Sequence, residues 1–385
     1  MIPYGKQHID QQDINAVVDV LKSDFITQGP AVSLFENAIA EYVGAKHAIA
    51  ASNATACLHL ACLALGIGNN DTVWTSPISF LASANCALYC GAQIDFVDVD
   101  PQTGLMSVES LTKKLADAKQ QNKLPKAIIP VHLAGQSCDM QAIYNAVAPY
   151  DIHIIEDASH AIGADYQDSK VGNCKFSDIC VFSFHPVKII TTGEGGIATT
   201  NNDVLAKTLK QLSSHGVTRN PAELTEEHGP WYYEQHMLGF NYRLTDIQAA
   251  LGLSQLSKLD EFVAKRNKLA SLYDSRLKHI DVTQLQRDKQ CYSSFHLYII
   301  NLNQPAKHKH CFEQLRHNKI GVNLHYIPIH MQPYYKKLGF KLGDFPHAER
   351  YYQSAISLPL YPDLTEQEIN YICNTLDKIL NTCDA

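Results

Sequence analysis

The sequence predicts an α/β fold: a large domain on a mostly parallel central sheet, followed by a smaller α+β domain. Three observations predict it. Short apolar or β-branched runs alternate with helical patterns through the first two-thirds of the chain. Those runs are continuous rather than alternating, as in strands buried on both faces. The length, 385 residues, suits one large domain plus a smaller one, each with its own core. The expected division is 1–250 for the large domain and 251–385 for the small one.

The elements follow in order. His47–Ala51 reads as a strand, and Ala54–Leu65 as a helix closed by Gly66. Thr72–Thr75 is a strand stopped by Pro77, followed by a helix through about Tyr89 that Gly91 closes. Then come strand Ile94–Val97, a helix over Val108–Ala118, strand Ala127–His132, a helix over Met140–Ala148 and strand Ile152–Ile155. Ile179–Ser183 and Gly196–Thr200 complete the sheet. A polar, aromatic stretch from Ser213 to Arg243 breaks the rhythm, and connections of that length usually carry function. Beyond it the pattern predicts one long helix from Thr245 to about Leu277. Strand-like Ser294–Leu302, a helix over His310–Asn318, strand-like Val322–Pro328 and a last helix over Glu366–Leu380 follow.

Composition excludes several classes. With 32 basic and 39 acidic residues the net charge is −7, so nucleic acid and anionic membranes are not expected as main partners. A hydrophobic share of 45% and a charged share of 18% argue against large-scale disorder. The eleven cysteines are scattered, form no Cys-x-x-Cys pair and sit mostly in apolar runs, where a thiol acts as a small apolar residue. The first ten residues carry no apolar signal-peptide core. A reduced, cytoplasmic setting is the expectation.

The search for chemistry starts with negatives. No Gly-x-Gly-x-x-Gly, P-loop, Gly-x-Ser-x-Gly or His-Glu-x-x-His occurs. His308-Lys-His310 reads as a solvated loop, and no metal site is expected. Three features remain. Ser52-Asn-Ala-Thr55 ends a strand and opens a helix, whose first amides make an anion site; taken alone, an ordinary N-cap by Ser52 or Asn53 is the commoner reading. Glu156-Asp-Ala-Ser-His160 puts two carboxylates after a buried strand, where ligands of open α/β sheets bind; helix-start acids are the alternative. Ser183-Phe-His-Pro-Val-Lys188, then Thr191–Gly196, gives a hydroxyl, a lysine and flexible glycines. A lysine in apolar surroundings can form a Schiff base, whereas most lysines merely lie on the surface. Together the three supply an anion cradle, a carboxylate and an amine, the set that pyridoxal phosphate needs.

These stretches, with Ile2-Pro-Tyr-Gly5, Thr27-Gln-Gly-Pro30, Asp98-Val-Asp100 and Gly239–Asp246, resemble the sugar aminotransferases of the DegT/DnrJ/EryC1/StrS family, over nearly the whole chain. The resemblance implies pyridoxal phosphate fold type I, with the pyridoxamine form as the intermediate carrier. It implies Lys188 as the Schiff-base lysine and proton shuttle, and Asp157 as partner of the pyridine nitrogen. His160 would support the ring from below and Phe80 would stack on it. Ala54, Thr55 and Ser183 would hold the phosphate, and Asn241 would reach the phosphate in a neighbouring subunit of a homodimer with shared sites. Substrate contacts would come from Tyr4, from Asp24, Phe25, Ile26 and Thr27, and from Leu324, His325, Tyr326 and Ile327.

The implied partners are an amino acid donor, usually glutamate in relatives, and a UDP-linked 4-keto-6-deoxy amino sugar. The stretches Ser183–Lys188 and Pro230–Gly239 resemble the subgroup of the family that acts on that sugar class. A sister enzyme acting on another UDP- or dTDP-linked sugar, and a non-catalytic regulator on the same fold, stay open. The family's dehydratases carry His in place of the lysine, so Lys188 argues against that branch.

Overall fold

The computed structural model describes residues 1–381. Helices α1 (Gln11–Leu21) and α2 (Pro30–Val43) precede β1 (His47–Ala51) and α3 (Ala54–Ala64). Next come β2 (Thr72–Thr75), α4 (Ala82–Tyr89), β3 (Gln93–Phe96), α5 (Val108–Gln120), β4 (Ala127–Ile129), α6 (Met140–Val147) and β5 (His153–Asp157). The short pair β6 (Asp165–Tyr166) and β7 (Ser169–Lys170) leads to β8 (Ile179–Ser183), β9 (Gly196–Thr200) and α7 (Asp203–Ser213). Two more short strands, β10 (Val217–Thr218) and β11 (Glu234–Gln235), lie in the long connection before α8 (Asp246–Leu256) and α9 (Leu259–Arg276). The remainder holds β12 (Val282–Gln284), β13 (Cys291–Tyr292), β14 (Tyr298–Leu302), α10 (His308–His317), α11 (Pro333–Lys337), α12 (Pro346–Tyr352), β15 (Ala355–Leu358) and α13 (Glu366–Asn381).

The central sheet has seven strands in the order β1-β9-β8-β5-β4-β2-β3. Neighbours from β8 to β3 pair in parallel. Only β9 runs the other way, antiparallel to both β8 and β1. Six strands therefore end on one rim, and β9 begins there. Helix α3 packs against β8 and β9 and against α4 and α7; its residues from Ala56 to Cys62 are all buried. The apolar continuity of the strands matches this burial on both faces. A second core joins the antiparallel sheet β12-β14-β15 to α9, α10 and α13 through Tyr273, Ile300, Leu315, Ile356 and Leu376.

Several expectations are corrected. The predicted long helix breaks between Leu256 and Leu259. There the Ser257 hydroxyl donates to the Ser254 carbonyl, and Lys258 turns to Asp10 (2.9 Å) and Asp13 (2.7 Å). Tertiary ion pairing at the junction overrides helix propensity. Strand β4 stops at Ile129 because Pro130 has no amide to offer the ladder. Val322–Pro328 forms no strand; one bridge joins Asn323 to Ser357, and the Asn323 side chain takes the Leu324 amide (2.8 Å), a local bond that competes with sheet pairing. His308-Lys-His310 opens α10 instead of lying in a loop, and His308 Nε2 bonds the Ala355 carbonyl (2.9 Å). Among the described residues, no helix is long and apolar enough to cross a membrane.

Candidate active site

A cavity of about 900 Å³ opens at the rim where β1, β5 and β8 end and β9 begins. Its walls include Ala54, Thr55, Phe80, Asp157, His160, Ser183 and Lys188, residues separated by up to 134 positions in the chain but brought together by this strand order.

The anion cradle comes from the start of α3. Asn53 is the cap: its side chain accepts the Ala56 amide (2.8 Å). The first turn of a helix retains unpaired amides and a partial positive charge, and here it borders the cavity at Ala54 and Thr55. Gly196 makes room for this. A Cβ there would sit 2.5 Å from the Ala54 nitrogen and 2.5 Å from the Asn53 carbonyl carbon, so any side chain would push β9 off the helix start. Ser183, at the end of β8, accepts the His185 amide (3.5 Å) and keeps its hydroxyl proton for a ligand.

The two carboxylates at the end of β5 face opposite ways, as strand alternation requires. Glu156 turns from the cavity to His132 Nε2 (2.7 Å) and to the Ser177 hydroxyl. Asp157 lines the cavity. Its Oδ1 accepts the Ser159 hydroxyl (2.6 Å) and amide (3.1 Å), and its Oδ2 accepts the Ser83 hydroxyl (2.6 Å). These bonds fix its orientation, yet no cation neutralises it by an ion pair among the described residues. A buried carboxylate of this kind suits a protonated ring nitrogen. Burial in the pocket wall pulls the Lys188 ammonium down to about 8, against the attraction of Asp157. The amine can thus lose its proton near neutrality and act as a nucleophile.

Histidines close the inner wall. His160 Nδ1 takes the Ala134 amide (3.3 Å), and its Nε2 meets the Tyr326 hydroxyl at 2.9 Å. The His296 ring lies 4.4 Å from that of His160, and its buried Nδ1 has no hydrogen-bond partner among the described residues. Burial first, then the charge of Lys188, holds His160 well below the usual histidine range. Phe80 lines the opening, 60% exposed, an apolar face free to cover a flat ring.

The expected substrate residues divide. Tyr4, Leu324, His325 and Tyr326 line the cavity. Ile327 is 45% exposed and does not. Asp24, Phe25, Ile26 and Thr27 are exposed and away from the cavity of their own chain, with Thr27 bridged to Thr245. Asn241 is exposed too, bridged to Ser214. Sequence reasoning missed Ser83, His296 and Asn323, whose side chain bonds Tyr4. It also missed the wall formed by His59, Tyr89 and Tyr242. His59 and Tyr89 lie in helical patterns that read as core; the i, i+4 spacing of His59 from Thr55 is what put it on the cavity side of its helix.

An amine of lowered basicity, an unpaired buried carboxylate and an amide cradle share one rim of this sheet, and each meets a different part of pyridoxal phosphate. Fold and rim together define a pyridoxal phosphate-dependent aminotransferase. The chain belongs to the DegT/DnrJ/EryC1/StrS aminotransferase family, whose model matches residues 7–377. It is 38% identical, over 99% of its length and 98% of theirs, to the UDP-4-amino-4,6-dideoxy-N-acetyl-beta-L-altrosamine transaminases of two Campylobacter jejuni strains. It is 35% identical to the GDP-perosamine synthase of Caulobacter vibrioides, over 98% of each chain. Among solved structures it superposes with a TM-score of 0.91 and 33% identity on Helicobacter pylori PseC, an aminotransferase involved in the biosynthesis of pseudoaminic acid, covering 99% of this chain and 100% of that one.

Proposed function

We propose that this aminotransferase moves an amino group from glutamate to C4 of a UDP-4-keto-6-deoxy-N-acetylhexosamine, giving UDP-4-amino-4,6-dideoxy-N-acetyl-β-L-altrosamine for pseudaminic acid synthesis. The near end-to-end match to transaminases of that name carries the reading. The cavity supports it: at about 900 Å³, with Tyr4, Asn323 and Leu324 in its walls besides the cofactor positions, it has space that a pyridoxal phosphate does not need and a nucleotide sugar does.

When bound, pyridoxal phosphate carries the amino group between the two substrates and serves as the electron sink for the proton shift. Lys188 holds the carrier and moves the proton at the reacting carbon. Asp157, fixed by Ser83 and Ser159, keeps the ring nitrogen protonated. Ala54, Thr55 and Ser183 bind the phosphate, while Phe80 and His160 flank the ring. Asn241 and the Asp24–Thr27 turn, exposed on their own chain, serve the neighbouring site of a homodimer in the cytoplasm. The match to a GDP-sugar enzyme at 35% keeps a second reading, a sister transaminase with another nucleotide sugar. Turnover of the two epimeric UDP-4-keto-6-deoxy-N-acetylhexosamines with glutamate, with product stereochemistry by NMR, tests both. Amination of the L-arabino epimer to the altrosamine supports the first reading; turnover only of the other epimer overturns it.

A further inference from the structure

We infer that Tyr326 is a fixed hydrogen-bond donor into the cavity, and that His160 makes it one by being locked in a single tautomer. The argument starts at Ala134. Its backbone amide donates to His160 Nδ1 (3.3 Å). A backbone amide only donates, so Nδ1 is a bare acceptor, and a neutral imidazole then carries its proton on Nε2. The ring is neutral, because burial and the nearby Lys188 disfavour its charged form. Nε2–H therefore donates to the Tyr326 oxygen at 2.9 Å. That bond occupies the acceptor side of the hydroxyl, so the Tyr326 hydrogen points away from His160.

No second protein partner for that hydroxyl is found among the described residues. The residue lines the same cavity as Lys188 and Asp157. Its phenol keeps its proton, since burial, reinforced by the charge of Asp157, pushes it far above neutrality. The ring is held in place: it stacks on His160 at 5.9 Å and 21°, lies 6.3 Å from Phe80, and follows a carbonyl, that of His325, which accepts the Tyr351 hydroxyl (2.7 Å). The arrangement is a donor and not a relay. A proton given up by Tyr326 could be replaced only from His160 Nε2, and the amide behind Nδ1 has none to pass on. Such a group stabilises charge on an oxygen without exchanging protons with it. The acceptor class is a carbonyl-type or phenolic oxygen, supplied by the sugar ketone or by the cofactor ring. The ligand rests on the proposed transamination; the tautomer does not.

The test has two parts. Nitrogen-15 histidine spectra of the cofactor-free protein, assigned with His160→Gln, should show His160 as the Nε2-protonated tautomer at neutral pH. The Nδ1-protonated form or a charged ring would overturn the inference, whatever the enzyme aminates. Tyr326→Phe then identifies the oxygen. A shift of about half a pH unit or more in the titration of the bound cofactor's visible band assigns it to the cofactor ring. An unchanged band, with the keto-sugar half-reaction slowed on the order of 10- to 100-fold and the glutamate half-reaction preserved, assigns it to the ketone. A variant unchanged in band and in both half-reactions sinks the donor role. Absence of turnover by the unmodified enzyme would count against the proposed substrate and leave the tautomer result standing.

Discussion

At the scale of single residues the site is organised around one lysine made less basic. Lys188 falls from 10.5 to about 8, so below about pH 8 most of its amine is protonated and cannot attack an aldehyde. Capture of pyridoxal phosphate by the cofactor-free protein should accelerate as pH rises through about 8 and then level off, followed by stopped-flow absorbance. The same shift bears on stability. A depressed lysine means that the fold disfavours the charged form, so at neutral pH Lys188 costs stability, and the cost fades as pH climbs from about 8 towards 10.5. Lys188→Met should therefore abolish turnover yet melt about 1–3 °C higher than the cofactor-free parent at pH 7, with the gap closing in alkaline buffer. Asp157→Asn keeps the shape and removes the charge; turnover should drop at least about 100-fold while the fold survives. Both residues were legible in the sequence because each follows a recognisable strand. Ser83, which holds Asp157 from 74 positions away, was not: nothing local distinguishes a serine that will meet a carboxylate from one that caps a turn.

At the scale of elements, two contacts decide whether the rim stays assembled. Asp246 opens α8, and its carboxylate also accepts the amides of Gly29 (2.7 Å) and Ala31 (2.8 Å) at the start of α2. One buried side chain in the first turn of α8, whose own cap is Thr245, thus completes the N-terminus of α2. Asp246→Ala should cost about 2–4 kcal/mol in urea unfolding, since it leaves two amides without an acceptor. Gly196 is the other contact. Gly196→Ala should weaken retention of pyridoxal phosphate at least about tenfold, read by equilibrium dialysis, because the new methyl would wedge β9 from the α3 amides. Strands β1, β2, β8 and β9 were read to the residue, since apolar runs with clear stops leave little choice. Helices α1, α2 and α7 went unread although Asp10, Pro30 and Asn202 mark their starts. Their faces are mixed, and what buries them lies elsewhere in the chain, as when α1 and α2 pack on α8.

At the scale of the whole molecule, the surface holds what the cavity lacks. Asn241, Phe25 and Ile26 stand exposed on the chain that carries them, which fits the proposed exchange of residues between subunits. Mixing Lys188→Ala with Asn241→Ala protein should restore part of the activity that each lacks alone, because one of the two sites in a mixed dimer is then intact; no recovery after subunit exchange would refute sharing. The reversed strand β9 has a consequence for how the chain acquires its shape. It is the wedge between β1 and β8, and its partners His47 and Thr200 are far apart in sequence. Strand β1 therefore has no place in the sheet until the ribosome has delivered residue 200. Pairings of such separation pay loop entropy before they gain contacts. The anion cradle, which hangs from the end of β1, should be among the last features to form, and a chain released before Thr200 has no means of gripping a cofactor phosphate.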